Sequence, residues 1–260
     1  MGERLSFPQR RAGTLLRGAF GRILKNRYPD AYSEIFDPSA DGPSGIADAP
    51  RPFVLRISHL GGQEFQPGTI AELKLNLFEE KGTFLPIFDD VFRRMGKEGL
   101  GPARARCDWA GSVVERRELT LAPPSEPVHR VEVTFRTPTE LKVESKSVTR
   151  PDFAALFRRL SSRISTLRML YGEGPIDADF RGMGSRAESV ELTNCRIRQS
   201  FAERLSRRTG QVHPIGGFAG VAEYCGELGE FLPFLLIGQH TGVGRQTVWG
   251  KGEIAVEVLG

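Results

Sequence analysis

The stretch IGQHTGVGRQTVWGKGEIAVEVLG, Ile237 to Gly260, holds six glycines with Arg245 and Lys251 between them and His240 near its start. Glycines let the main chain approach a ligand closely, so backbone N–H groups with nearby cations suit a phosphate. A P-loop is excluded, because Gly244 to Gly250 spans one residue too many and Lys251 is followed by Gly252. A dinucleotide fingerprint fails too, since its third glycine falls on Thr247. Two readings stay open on these grounds: a loop that contacts a phosphodiester backbone, and a tight connection with no ligand.

Cations elsewhere favour a polyanionic partner. The net charge is only +4, but Met1 to Arg27 carries seven basic residues against one acidic, and Cys195 to Arg208 carries five against one. Arg196 and Arg198 are two apart on a strand-like run, so they share a face while Ile197 points to the other. With Arg204, Arg207 and Arg208 they form a basic strand and loop able to follow phosphates. Cys107, Cys195 and Cys225 are odd in number and widely spaced, which supports neither a disulfide framework nor a zinc site. No metal and no cofactor is expected. The longest apolar run, FLPFLLIG, is far short of a membrane span, so no membrane partner and a cytoplasmic protein are expected.

The elements that position these residues fall into two similar series. Leu15 to Tyr28 has the apolar spacing of an amphipathic helix, with Arg17, Lys25 and Arg27 off the stripe. Asp37 to Pro52 has the composition of a long, mobile surface loop. Strand patterns follow at Pro52 and Thr69, then a helix in GTFLPIFDDVFRRMG and a further strand region in RARCDWAGSVVERRELT. LAPPSEP marks a boundary, giving domains at 1–122 and 123–260. Beyond it come a strand from His129, the clearest helix at Pro151 to Leu170, two strands, the apolar helix GEFLPFLLIG, the glycine stretch and a last strand. The order is α-β-β-α-β, then β-α-β-β-α-β. That repetition predicts an α+β fold of two tandem ferredoxin-like (RRM-like) domains. The first strand of the N-terminal domain is short or missing, with RLSF at Arg4 to Phe7 its one candidate.

The segments LLRGAFGRIL, PRPFVLR, KEGLGPAR, VTFRTPTELK, FAALFRRLSSRISTLRMLYG, GGFAGVAEYCGEL and FLPFLLIGQHTGVGRQTVWGKGEI, in this order over nearly the whole chain, resemble the CRISPR repeat-processing endoribonucleases of the RAMP superfamily. The resemblance implies two ferredoxin-like domains, RNA binding, and a single cut in each repeat of a CRISPR precursor transcript. The repeat is often a hairpin, and the products are guide RNAs. It implies a metal-independent reaction in which the upstream 2′-hydroxyl attacks in line, leaving a 2′,3′-cyclic phosphate. The mature crRNA and other subunits of a CRISPR ribonucleoprotein complex are the further partners expected. Many relatives carry a histidine at the end of a motif like LRGAFGR, where this chain has Arg22. Arginine stabilises a phosphorane but is a poor proton acceptor. The alternative is therefore a non-catalytic RNA-binding RAMP subunit.

Of four histidines, His59 and His129 are expected to be structural or on the surface, and His213 adjoins a basic loop. His240, at a helix C-terminus, can act in proton transfer or simply cap the helix. The expected catalytic set is Arg22, Lys25 and His240, with Tyr28 a further possibility on the same helix. The expected RNA contacts are Arg17, Arg196, Arg198, Arg204, Arg207, Arg208, Gly242, Gly244, Arg245 and Lys251.

Overall fold

The structure is a computed structural model. It describes residues 4–9, 11–36, 49–79, 82–143, 146–200, 203–205, 212–214 and 216–259, with 203–205 and 212–214 as backbone only. Arg207 and Arg208 lie outside the described residues, as does the expected loop at Asp37 to Pro52 up to residue 48. The chain forms two compact units. The first comprises Met1–Glu118 with Thr166–Pro175 and Val248–Gly250; the second comprises Leu119–Ser165, Ile176–Thr247 and Lys251–Gly260.

The first unit opens with β1 (Leu5–Ser6), the short strand expected within RLSF. Then come α1 (Ala12–Arg27), the single turn α2 (Pro29–Ala31), a π-turn at Tyr32–Phe36, β2 (Phe53–Arg56), β3 (Glu64–Phe65), β4 (Lys74–Leu77) and α3 (Leu85–Glu98). β1 pairs with β3 and β2 with β4, both antiparallel. The sheet of this unit is thus two short ribbons. RARCDWAGSVVERRELT was expected to hold strands, but residues 106–120 have no regular structure. Ala105, Cys107 and Trp109 do alternate and pack on the core, but Val113 and Val114 are adjacent and both exposed.

α1 forms because its apolar residues recur at helical spacing, and Leu16, Phe20, Ile23 and Leu24 are all buried. Phe20 is the hub, with ring centroids 4.8 Å from Phe88, 5.5 Å from Phe92 and 5.6 Å from Phe53. Gly21 leaves room for Phe36, whose ring would lie 2.5 Å from any Cβ placed there.

The second unit contains β5 (Arg130–Thr139), the hairpin β6 (Lys142–Val143) and β7 (Lys146–Ser147), α4 (Phe153–Tyr171) and α5 (Phe180–Ala187). It continues with β8 (Glu191–Ser200), β9 (Glu203–Leu205), β10 (Val212–Pro214), β11 (Gly217–Cys225), α6 (Leu232–Thr241), a 3₁₀ turn at Thr247–Trp249 and β12 (Ile254–Val258). Four strands make one antiparallel sheet in the order β12-β5-β11-β8. Taken as first to fourth strands, that is 4-1-3-2, the ferredoxin-like arrangement with crossover helices α4 and α6. The predicted face of α4 is buried at Phe153, Leu156, Phe157, Leu160, Ile164 and Leu167. Phe157 and Phe231 rings lie 4.8 Å apart, and the buried Tyr224 hydroxyl donates to Pro151 O at 2.6 Å. α5 and the two short hairpins are additions that the repeated order did not predict.

Because Phe20 is enclosed by rings, Phe20→Ala should lower the stability of the first unit by about 3–5 kcal/mol. Urea denaturation followed by near-UV circular dichroism measures this. A loss below about 1 kcal/mol would show that the ring cluster is not the core.

Candidate functional site

Thr14, Gly18, Arg22 and Lys25 follow one another on the solvent side of α1 at helical spacing, and all four are exposed. The Arg22 guanidinium pairs with Glu98 of α3 at 2.9 Å, with both side chains about half accessible. A partnership so wetted is easily exchanged for a phosphate. The Lys25 ammonium sits 5.6 Å from the Tyr32 ring centroid. One turn on, the Tyr28 hydroxyl donates to Asp90 at 2.8 Å, while Arg94 Nε holds the same carboxylate oxygen at 2.5 Å. The hydrogen bond to Asp90 raises the Tyr28 pKa, and that from Arg94 lowers the Asp90 pKa. Tyr28 therefore keeps its proton and is unsuited to be a base.

A Cβ on Gly18 would meet nothing within 4 Å. No packing requires glycine there, although glycine in a helix costs about 1 kcal/mol relative to alanine. Arg17, expected as an RNA contact, has its guanidinium between two rings, 4.4 Å from the Phe36 centroid and 4.3 Å from that of Trp249. Trp249 belongs to the glycine stretch, and its carbonyl would lie 1.8 Å from a Cβ on Gly13.

The remainder of the glycine stretch belongs to the second unit. His240 is half-buried in the last turn of α6. Beside it, Arg163 Nε of α4 donates to Thr241 O at 2.9 Å, fixing the end of that helix. Gly244 (φ +78°) and Gly252 (φ +68°) occupy the left-handed region. Any Cβ on them would come 2.4 Å from Glu140 O and 1.9 Å from Val243 O, respectively. The amides of Gly242, Val243, Arg245 and Gly252 donate to Gly238, Gly252, Glu140 and Pro138 carbonyls. The glycines thus let the loop close on its own chain. Gln246 is also left-handed (φ +62°), a conformation that costs a non-glycine residue about 1–2 kcal/mol.

Glu140, which the sequence reading did not single out, organises the cations here. Its Oε1 accepts from Ser147 Oγ at 3.1 Å and lies 3.8 Å from both Lys142 Nζ and Arg245 Nη1. Arg159 donates to Lys142 O from Nε at 2.7 Å. The signal available was the opposite charges of Glu140 and Lys142, two residues apart in TPTELK. Lys251 is buried, and its ammonium donates to Gly216 O at 3.2 Å. Burial pulls its pKa down to about 8, against the opposing pull of Glu140. This turns Lys251 inward, away from the surface contact expected of it.

Arg196 and Arg198 are exposed on one face of β8, with Ile197 against the core on the other. Arg204 is on β9, opposite His213 of β10. His59 Nε2 bonds to Glu72 O at 3.0 Å, and His129 Nδ1 lies 3.3 Å from Glu227. Among the described residues no His, Cys, Asp and Glu side chains gather as a metal site requires, and no helix is long and apolar enough to cross a membrane.

Two outcomes follow from this geometry. Between pH 8 and 10.5 the unfolded Lys251 binds more protons than the folded one, so its burial makes stability rise with pH in that window. Urea denaturation across the window should show Lys251→Met with a flatter rise; an identical rise in both proteins would place the ammonium in water. Gly18→Ala should stabilise the protein by up to about 1 kcal/mol; a thermal scan with a lower midpoint would reveal a neighbour at that site.

Comparison with known proteins accords with the fold. The family model described as CRISPR-associated endoribonuclease Cas6 matches residues 133–254, and a model described as an N-terminal domain matches residues 1–130. No curated protein matches the chain. A Thermus thermophilus Cas6 product complex (TTHB231) superposes with TM-score 0.62 at 17% identity, covering 98% of this chain and 96% of that one. A second Cas6 product complex (TTHA0078) gives 0.58 at 18% identity, covering 97% and 94%. A RAMP protein binding different RNA substrates gives 0.52 at 13% identity, covering 98% and 97%. At such identities the superpositions carry the tandem ferredoxin-like fold. The match of the Cas6 model runs from β5 through the glycine stretch into β12 and carries the family: residues 133–254 belong to the CRISPR-associated endoribonuclease Cas6 family.

Proposed function

We propose that this protein binds the repeat of a CRISPR precursor transcript and cuts it once, without a metal ion, by attack of the upstream 2′-hydroxyl on the scissile phosphate. The products are a 2′,3′-cyclic phosphate and a 5′-hydroxyl. The observation that carries the reading is the match of residues 133–254 to the Cas6 endoribonuclease family. The solvent-facing row of Arg22 and Lys25 on α1 supports it, because two cations offset the charge of a phosphorane. Arg22 is assigned to transition-state charge, Lys25 to the same field, and His240 to proton transfer. Arg196, Arg198, Arg204, Arg207, Arg208 and Arg245 contact the RNA backbone, and Gly242 and Gly244 let the loop main chain come near it. We assign the domains to 1–122 and 123–260 and place the protein in the cytoplasm. It retains the mature crRNA and joins other CRISPR subunits, a role suggested by structures of Cas6-RT-Cas1–Cas2 complexes with the same fold.

One observation favours a second reading. Arg22 stands where many relatives carry a histidine, and it is paired with Glu98, so the chain can bind repeat RNA without cutting it. End-labelled repeat RNA from the neighbouring array, incubated with the protein and EDTA, separates the two. The nuclease reading expects one cut and a product resistant to phosphatase until acid opens the cyclic phosphate. Arg22→Ala should slow single-turnover cleavage by about 10²–10³-fold with binding changed by less than about threefold. Binding with no cut in the wild-type protein would instead establish the non-catalytic subunit.

A further inference from the structure

The four-stranded sheet of the second unit turns alternate residues away from its helices, and the strand register sorts those residues by charge. Arg196 of β8 pairs with Val221 of β11, Val221 with Thr134 of β5, and Thr134 with Ala255 of β12. One step along, Arg198 pairs with Ala219. Ala219 lies at a bulge, between the Phe218↔Thr139 and Gly220↔Phe135 pairs, which sets it opposite the β5 segment that begins with Arg136. Arg136, Arg196 and Arg198 are all exposed. They bracket a floor of small side chains across three strands, a width of about 10 Å.

In the opposite direction the sign reverses. Glu223 of β11 pairs with Glu132 of β5, and Glu132 with Glu257 of β12, so three carboxylates stand in one row. Like charges directly opposite one another destabilise a sheet, so nothing in the folding of the sheet calls for this row. Glu223 is partly offset by Arg130 at 2.8 Å and Asn194 at 2.9 Å. The face therefore has a cationic half and an anionic half, with Thr134 and Val221 at the step.

We infer that Arg136, Arg196 and Arg198 form a strip that binds a single RNA strand through its phosphates, bounded by the glutamate row, which repels the strand and sets its limit. This rests on the RNA-binding reading above and adds Arg136 and the boundary to it. No aromatic residue stands on the outward face of these strands: Phe135, Phe218 and Tyr224 all point into the core. RRM-type sheets stack bases on aromatics, and this one offers no ring. Recognition on the strip is thus by charge, indifferent to base and steep in salt.

Fluorescence anisotropy with short labelled oligouridylate and oligoadenylate tests it, alongside the repeat-cleavage assay. The wild-type protein should bind the two within about threefold of each other. Arg136→Ala should weaken oligouridylate binding by about 3–10-fold and reduce the salt slope by about 1. Glu132→Gln with Glu257→Gln should tighten binding by about threefold. Circular dichroism melts check that the variants fold, and Arg136→Lys should recover most of the affinity. If the wild-type binds oligouridylate and Arg136→Ala keeps the same affinity and slope, the strip is overturned. If oligouridylate does not bind while repeat RNA is still cut, the strip is overturned and the nuclease reading stands. Oligouridylate binding with the predicted Arg136 effect but no repeat cleavage would uphold the strip and sink the nuclease reading.

Discussion

The close approach of main chain to main chain in the glycine stretch is the constraint on which the second unit depends. Gly252 passes so near the Val243 carbonyl, and Gly244 so near that of Glu140, that a single methyl group has no place at either. Both also lie in the left-handed region, where a side chain would be strained even with space around it. The close packing draws the start of the loop onto the end of β5 and onto the entry to β12. Backbone bonds from Arg245 to Glu140 and from Gly252 to Pro138 then lock it there. His240, Arg245 and Lys251 owe their positions to that closure.

A second regularity is that the basic residues described near the candidate site are partnered within the protein. Arg22 has Glu98, Arg245 has Glu140, Lys251 has the Gly216 carbonyl and Arg17 has two rings. The exposed pairs differ in kind from the buried contacts. Arg22 can trade a carboxylate for a phosphate at little cost, because water already screens both partners, whereas the half-exposed Arg245 would leave the largely sheltered Glu140 behind. Lys251 cannot, since leaving Gly216 would expose a carbonyl now sheltered and remove a fixed point of the loop. The same chemical type thus serves two ends, with burial deciding between them.

The sheet of the second unit combines RRM-like topology with a different surface. Its rings are all spent on the core, where Phe135 packs edge to face with Phe218, and Tyr224 with Phe153 of α4. What remains for the open face is charge, arranged in rows by register. On the inference drawn above, such a surface would contribute affinity without base preference, leaving any preference for a particular repeat to other parts of the chain.

Much of this was legible in the sequence. Helical periodicity located α1 and α4 and chose their buried faces, because a period of 3.6 leaves a pattern that no other element shares. The short first strand, the ferredoxin-like order of the second half and the shared face of Arg196 and Arg198 followed from alternation and element order. Residues 106–120 misled, since β-branched and charged residues suggest strands only where a partner strand exists to receive them. The glycine spacing excluded a nucleotide fold but did not tell that Gly244 and Gly252 serve contacts within the chain. Nor could it tell that Lys251 turns inward, that Glu140 gathers the cations, or that Glu132, Glu223 and Glu257 stand side by side. Periodicity is a property of neighbours along the chain, and the sequence determined what depends on it, the elements and their faces, while its motifs carried the resemblance to a family. Which carbonyl meets Gly244 and which charges share a row depend on residues about a hundred positions apart, and only the tertiary structure decided those.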